Sequence, residues 1–158
     1  MDSEIARFMI DAAKFEFFVV NLDLRFAHID PVTNVVMGVN WELLGQAMEE
    51  VFPFDEFEFS NSDFEIFKLT VPQKLVVSDL GGLKWDSEEV EVSSWQVLLG
   101  RSYAQLRNNV AHGNKAQLPA YFTRERTAEF LIAGRSLIDF IVEALSGDKS
   151  WKGPIQFR

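Results

Sequence analysis

The amino-acid sequence predicts an all-α protein, an up-and-down bundle of four long helices with an irregular or small β insertion at residues 53–92. Apolar residues recur with helical spacing over four long stretches of the chain. Most links between these stretches are short, so consecutive helices are expected to lie side by side. No internal repeat or low-complexity tract divides the 158 residues, which we interpret as one domain, 1–158.

Composition restricts the class of protein. Hydrophobic residues make up 47% of the chain and there are 15 phenylalanines, which indicates a bulky core, a large interface or both. The absence of cysteine excludes disulfides and thiolate metal sites and suits a reducing compartment. The longest wholly apolar run, residues 17–20, is far shorter than the ~20 residues that span a bilayer. The acidic start lacks the basic region of a signal peptide. We therefore expect a soluble, cytoplasmic protein with no membrane partner.

Charge is unevenly distributed along the chain. The net charge is -9, which argues against general nucleic-acid binding, but residues 93–126 carry a net charge of +4 while residues 1–92 carry -13. Two explanations of this difference stay open: chance clustering of the charges, or a local anion-binding site on an otherwise acidic protein.

The first predicted helix covers residues 3–29 and carries two apolar stripes. Asp2 or Ser3 can cap its start, and Asp30 before Pro31 ends it. Two adjacent stripes make a face wider than one neighbouring helix needs, so this helix is either central in the bundle or shared with another subunit. The stripes consist of Ile5, Phe8, Ala12, Phe15, Val19, Leu22, Phe26 and Ile29, and of Ile10, Ala13, Phe17, Val20, Leu24 and Ala27.

The second predicted helix covers residues 32–52 and ends before Pro53. Gly38 and Gly45 weaken it but permit close packing against a neighbour. Its apolar face is Met37, Trp41, Leu44, Met48 and Val51.

Residues 53–92 interrupt the helical spacing. The alternation at 57–59, the partly strand-like spacing at 64–71 and the apolar run 75–77 favour a small hairpin or irregular structure. The aromatic side chains of this acidic segment either cap the end of the bundle, the interpretation we favour, or form a surface for a partner.

The last two predicted helices follow this insertion. Ser93 or Ser94 caps the third, which ends at Gly113, and its buried side is Trp95, Leu98, Leu99, Ser102, Leu106 and Val110. Thr123 caps the fourth, which runs to about residue 145 before Gly147, and its apolar face is Phe130, Leu131, Gly134, Leu137, Ile138, Ile141, Val142 and Leu145. The tail at 148–158, with Trp151 and Phe157, is expected to dock on the bundle or on a partner.

Chemistry is most plausible at residues 106–114, where Arg107 precedes His112 by five positions. Histidine moves protons near neutral pH and arginine binds phosphate, so together they suit phosphodiester cleavage without a metal. Five residues of continuous helix turn through about 500°, which points the two side chains about 140° apart. Joint action then requires that the helix end between them or that two copies face each other across a two-fold axis. The alternative is structural, because cations are favoured at helix C-termini.

The run Arg107-Asn108-Asn109-Val110-Ala111-His112-Gly113 resembles the signature of the HEPN superfamily. The signature is an arginine, often followed by a polar residue (here Asn108), then a histidine after four to six residues. The resemblance covers roughly the predicted helices and leaves 53–92 as an insertion. It implies a helical bundle with the motif near the end of the helix that precedes the last long helix.

The resemblance also implies a function: a metal-independent endoribonuclease without a cofactor, acting as a homodimer in toxin or anti-phage defence systems. Arg107 would bind the scissile phosphate, His112 would act as general acid or base, and Asn108 would position the substrate or the partner's His112. Products would carry a 2′,3′-cyclic phosphate and a 5′-hydroxyl. An antitoxin or regulatory protein is a further expected partner.

Two other hypotheses stay open. The chain is either a non-catalytic HEPN-like module that binds nucleotide, RNA or protein, or a plain helical interaction protein. In one toxin branch a tyrosine that an antitoxin modifies stands two residues after the histidine. That position is Asn114 here, so this mode of neutralisation is not implied. The second histidine, His28, is interpreted as a helix-end residue, and no role is assigned singly to Arg101, Lys115, Arg124 or Arg126.

Overall fold

The computed structural model describes residues 2–57, 64–86, 89–112, 124–148 and 151–154. Helices dominate these ranges, but two antiparallel hairpins stand between them. The predicted all-α class is therefore wrong. The fold mixes helices with two small β-sheets, and it is not a bundle of four long helices.

Helix α1 spans Asp2–Leu22 and ends well before residue 29. Its first apolar stripe is buried at Phe8, Ala12, Phe15 and Val19, in agreement with the sequence pattern. The helix stops because Asp23 adopts an extended backbone conformation and its carboxylate accepts the backbone N–H of Arg25 at 2.9 Å. This local bond competes with helix continuation. A 3₁₀ turn, Leu24–Phe26, leads into strand β1, Ala27–Ile29.

Strand β1 pairs with β2, Val36–Val39, in a hairpin where the sequence predicts the end of the first helix and the first half of the second. The Asp30 carboxylate accepts the backbone N–H groups of Val32 and Thr33, at 2.8 and 3.0 Å. Gly38 has φ +147°, a conformation that favours glycine, so its predicted role in close packing is wrong. The turn-forming hydrogen bonds of Asp30 therefore determine the structure here, although the apolar spacing is typical of a helix.

Helix α2 spans Trp41–Val51 and begins at Asn40, whose side chain accepts the backbone N–H of Leu43. Leu44 and Met48 are buried, as predicted. The close packing predicted at Gly45 is confirmed, because a Cβ there would lie 2.9 Å from the backbone nitrogen of Gln96.

The segment 53–92 contains a 3₁₀ turn, Phe54–Glu56, helix α3, Glu65–Leu69, and a hairpin of β3, Lys74–Val77, with β4, Leu83–Asp86. The strand-like spacing at 64–69 therefore belongs to a short helix, while 58–60 lie outside the described residues. Four phenylalanines of this segment are buried in the core, which supports the interpretation that its aromatics cap the helices: Phe54, Phe57, Phe64 and Phe67.

The site is carried by a continuous helix at residues 95–111, which we call the motif helix. It consists of α4, Trp95–Val97, a π-helical segment, Leu98–Tyr103, and α5, Ala104–Ala111. The Ser94 hydroxyl caps it by accepting the backbone N–H of Val97 at 3.2 Å. All six residues predicted for its buried side are buried. Tyr103 and Ala104 are buried on this helix as well.

Helix α6 spans Arg124–Ser146 and packs along α1. Its predicted apolar face is confirmed, and Gly147 ends it with φ +68°. The predicted cap Thr123 and the tail residue Phe157 lie outside the described residues. Trp151 packs against Phe15 and Phe18, so this part of the tail docks on α1. No helix in the described part of the chain is long and apolar enough to cross a membrane.

Candidate functional site

The predicted site residues lie in the last turns of α5. Arg107 is half-buried, whereas Asn108 and His112 are exposed. The backbone N–H of His112 donates to the carbonyl oxygen of Asn108 at 3.0 Å, so the helical path continues up to His112. Residues four apart lie on the same side of a helix. The structure therefore brings Asn108 and His112 together on one exposed side.

Arg107 is held by Glu16 of α1. Its Nη2 donates to Glu16 Oε2 at 3.1 Å, and its Nε lies 3.0 Å from Oε1. The Nε contact has the distance of an ion pair but not the alignment of a hydrogen bond, so the Nη2 bond is the directed one. The two side chains retain only 31% and 21% of their exposure, which reduces screening by water.

Arg107 and His112 do not form a close pair through the helix itself. The helix would have to end between them for that, but α5 extends to Ala111. The angular separation of about 140° expected for a continuous helix therefore applies. Of the two arrangements considered from sequence, only the one with two facing copies remains compatible with joint action of these residues.

Tyr103 lies one turn before Arg107 and is fully buried against Phe15 and Trp41, with ring centroids 5.9 and 5.5 Å away. Its hydroxyl has no hydrogen-bond partner in the described part of the chain. Burial raises the pKa of the Tyr103 phenol far above its ordinary value, and the negative charge of Glu16 raises it further. Tyr103 is therefore a neutral core residue beside the ion pair.

Asn109 has a structural role that the sequence analysis does not assign. It is buried, its Nδ2 donates to the carbonyl oxygen of Gln73 at 3.0 Å, and its Oδ1 accepts from Gln105 Nε2 at 2.8 Å. The first bond ties the motif helix to the residue before β3, and the second, from within the same helix, orients the Asn109 amide. The available signal was a polar residue next to the buried position Val110.

Glu16 was also missed. Its signal was a lone carboxylate within the apolar sequence Phe15-Glu16-Phe17-Phe18. A charge at such a position requires a partner, but the partner is 91 residues away and local spacing does not identify it.

The remaining candidate residues lie elsewhere or outside the described ranges. His28 is exposed in strand β1, so the helix-end explanation for it is wrong. Arg101 Nη1 donates to the carbonyl oxygen of Pro72 at 2.8 Å. Gly113, Asn114 and Lys115 fall outside the described residues, as does the side chain of Arg124.

Comparisons with models of protein families, with curated proteins and with solved structures found no match to this chain.

Proposed function

We propose that this protein is a metal-independent endoribonuclease that acts as a homodimer, in a toxin or anti-phage defence system. The observation that carries the proposal is the end of α5, where His112 and Asn108 are exposed on one side and Arg107 stands next to them in sequence. This end belongs to the positively charged part of the chain, residues 93–126. An exposed histidine can reach a substrate, and a local positive charge attracts a phosphate backbone.

The proposed reaction is an internal transesterification followed by release of the leaving group. One His112 removes the proton from a ribose 2′-hydroxyl, whose oxygen then bonds to the adjacent phosphorus. The bond from phosphorus to the 5′-oxygen breaks, and the His112 of the second subunit gives that oxygen a proton. Arg107 stabilises the negative charge on the non-bridging oxygens, and Asn108 positions the substrate. The products are a 2′,3′-cyclic phosphate and a 5′-hydroxyl.

A second copy of the chain supplies the other half of this site. The second apolar stripe is partly uncovered: Ile10 and Phe17 of α1 are exposed by 50% and 71%, and Leu24 of the 3₁₀ turn that follows is exposed by 72%. Large apolar side chains grouped in this way are typical of an interaction surface. We place the dimer contact there.

Purified protein with single-stranded RNA in EDTA tests the catalytic proposal. The wild type is expected to cleave, and His112→Ala and Arg107→Ala are expected to lose cleavage while keeping the wild-type circular dichroism spectrum. His28→Ala is the matched control, because it removes the other exposed histidine, and it should cleave like the wild type. Undiminished cleavage by His112→Ala and Arg107→Ala would refute the proposal.

Light scattering after size exclusion tests the dimer. Phe17→Asp is expected to give a monomer that does not cleave RNA. Leu80→Asp, which changes a side chain 98% exposed in the β3–β4 turn, should remain a cleaving dimer. A wild type that is a strict monomer at all concentrations would contradict the composite site and favour a plain helical interaction protein.

The alternative is a non-catalytic module that binds RNA, nucleotide or a protein such as an antitoxin or regulator. The Glu16–Arg107 ion pair favours it, because the carboxylate offsets the charge that a phosphate would meet. Residues 1–92, with a net charge of -13, also disfavour broad contact with RNA. Binding of varied RNAs without cleavage of any would decide for the module.

A further inference from the structure

Glu16 is the charged member of an otherwise apolar part of α1. It follows the buried Phe15 and precedes the exposed Phe17, and its side chain is largely withdrawn from water. A carboxylate in such a place costs free energy unless it is paired, and Arg107 provides the pair. The same contact therefore affects the orientation of the Arg107 guanidinium.

The contact occupies one edge of the guanidinium. Glu16 approaches Nε and Nη2, so Nη1 and the second hydrogen of Nη2 take no part in the pair. A guanidinium is planar and rigid, and its Nη1–Nη2 edge can bind a phosphate through two parallel hydrogen bonds. A carboxylate on the Nε side therefore restricts how the group can turn and leaves this second edge outside the pair.

Both helices are firmly placed around the pair. Phe15, the neighbour of Glu16, packs edge-on against Tyr103, which lies one turn before Arg107. Tyr103 and Phe15 are fully buried. A partner held on a rigid element restricts the position of a catalytic group more closely than one on a loop.

We propose that Glu16 is a positioning residue that orients Arg107 toward the scissile phosphate, an inference that rests on the ribonuclease function proposed above. The arrangement has opposing effects. Orientation raises the rate of the chemical step, whereas the carboxylate weakens binding of the RNA by repelling its phosphates. Loss of Glu16 should therefore slow cleavage and tighten binding together.

The experiment measures kcat on a cleavable single-stranded RNA in EDTA and Kd for a fluorescent 2′-O-methyl oligonucleotide of the same sequence, which cannot be cleaved. For Glu16→Gln we expect kcat to fall by about 10²-fold, the loss typical of a misplaced catalytic group. Kd should fall by about threefold at low salt, since one nearby negative charge is removed. Glu16→Asp keeps the charge but shortens the side chain, so kcat should fall while Kd stays the same.

Asp11→Asn is the matched control. Asp11 also lies on α1 and binds an arginine, Arg135 of α6, at 2.8 Å, so its loss breaks a comparable pair that does not involve the motif. Asp11→Asn should lower the melting temperature of the protein, but it should not lower kcat and Kd together. If Glu16→Gln lowers kcat no more than Asp11→Asn does, the proposal is overturned. A wild-type kcat in Glu16→Asp overturns it even if Glu16→Gln does not fold.

The two measurements separate this inference from the proposed function. If the wild type cleaves but both Glu16 variants keep its kcat, the positioning role fails and the ribonuclease stands. If the wild type does not cleave, the ribonuclease fails and Kd decides alone. Tighter binding by Glu16→Gln with weaker binding by Arg107→Ala then supports Arg107 as an oriented phosphate ligand, and an unchanged Kd in both refutes it.

Discussion

Replacing Gly45 by alanine should destabilise the contact between α2 and the start of the motif helix. A Cβ at Gly45 would lie 2.9 Å from three atoms of Gln96: its backbone nitrogen, its Cα and its Cγ. Two of these atoms are backbone, so the contact can be relieved only by moving one helix away from the other. Such overpacking costs about 1–3 kcal/mol, whereas alanine in a helix gains about 1 kcal/mol over glycine. The net expected loss is about 0–2 kcal/mol.

Gly100→Ala is the matched control. It places the same methyl group in the motif helix, where the nearest atom is Trp41 Cβ at 3.8 Å, an ordinary contact. It should be neutral or stabilising, so the two variants should differ by about 1–3 kcal/mol in the free energy of unfolding. Urea unfolding followed by circular dichroism measures this difference. Equal stability of the two variants would refute the close packing inferred at Gly45.

Three further predictions concern residues around the motif. Folding raises the pKa of Tyr103, so the stability from its neutral phenol is complete below the ordinary tyrosine pKa of about 10 and is lost as the pH rises above it. Tyr103→Phe should therefore move alkaline unfolding to higher pH, and an unmoved transition would contradict the burial. Asn109→Ala should cost about 1–3 kcal/mol, because the two side-chain hydrogen bonds of Asn109, to the Gln73 carbonyl and from Gln105, are lost, and it should speed hydrogen exchange in β3–β4; unchanged exchange would argue against this tie. Trp151→Ala should cost about 1–2 kcal/mol in urea unfolding by removing the packing on Phe15, and wild-type stability would show that the tail does not contribute.

The sequence predicts the later helices well because their signals are local. The motif helix and α6 have long apolar faces, and a cap or a terminating glycine such as Ser94 and Gly147 marks one end of each. Each signal lies within a few residues of the backbone that it determines. The predicted buried sides are accordingly confirmed.

The first half of the chain was predicted less well because two local signals conflict there. Leu22, Phe26 and Ile29 continue the helical spacing of α1, but Asp23 and Asp30 bind backbone N–H groups that a helix would use. The spacing predicts the end of one helix and the start of another, but the turn-forming hydrogen bonds prevail and the β1–β2 hairpin forms. The error in fold class follows from this conflict, because two long predicted helices are interrupted by the β1–β2 hairpin, whereas the hairpin at 74–86 lies within the small β insertion predicted at 53–92.

The candidate site, too, could be predicted only where its signals are local. The motif and its position near the end of a helix could be predicted from residues 106–114 alone. The partners of Arg107 and Asn109 could not, because Glu16 and Gln73 lie 91 and 36 residues away and meet them only through the packing of the fold. The second half of the site, on another copy of the chain, stays a prediction.

Cleavage of RNA by the purified protein in EDTA tests the central claim most directly. We predict that the wild type and His28→Ala produce fragments with a 2′,3′-cyclic phosphate and a 5′-hydroxyl, and that His112→Ala produces none. Fragments of the same kind from His112→Ala, at the wild-type rate, would contradict the assignment of the site to the end of α5.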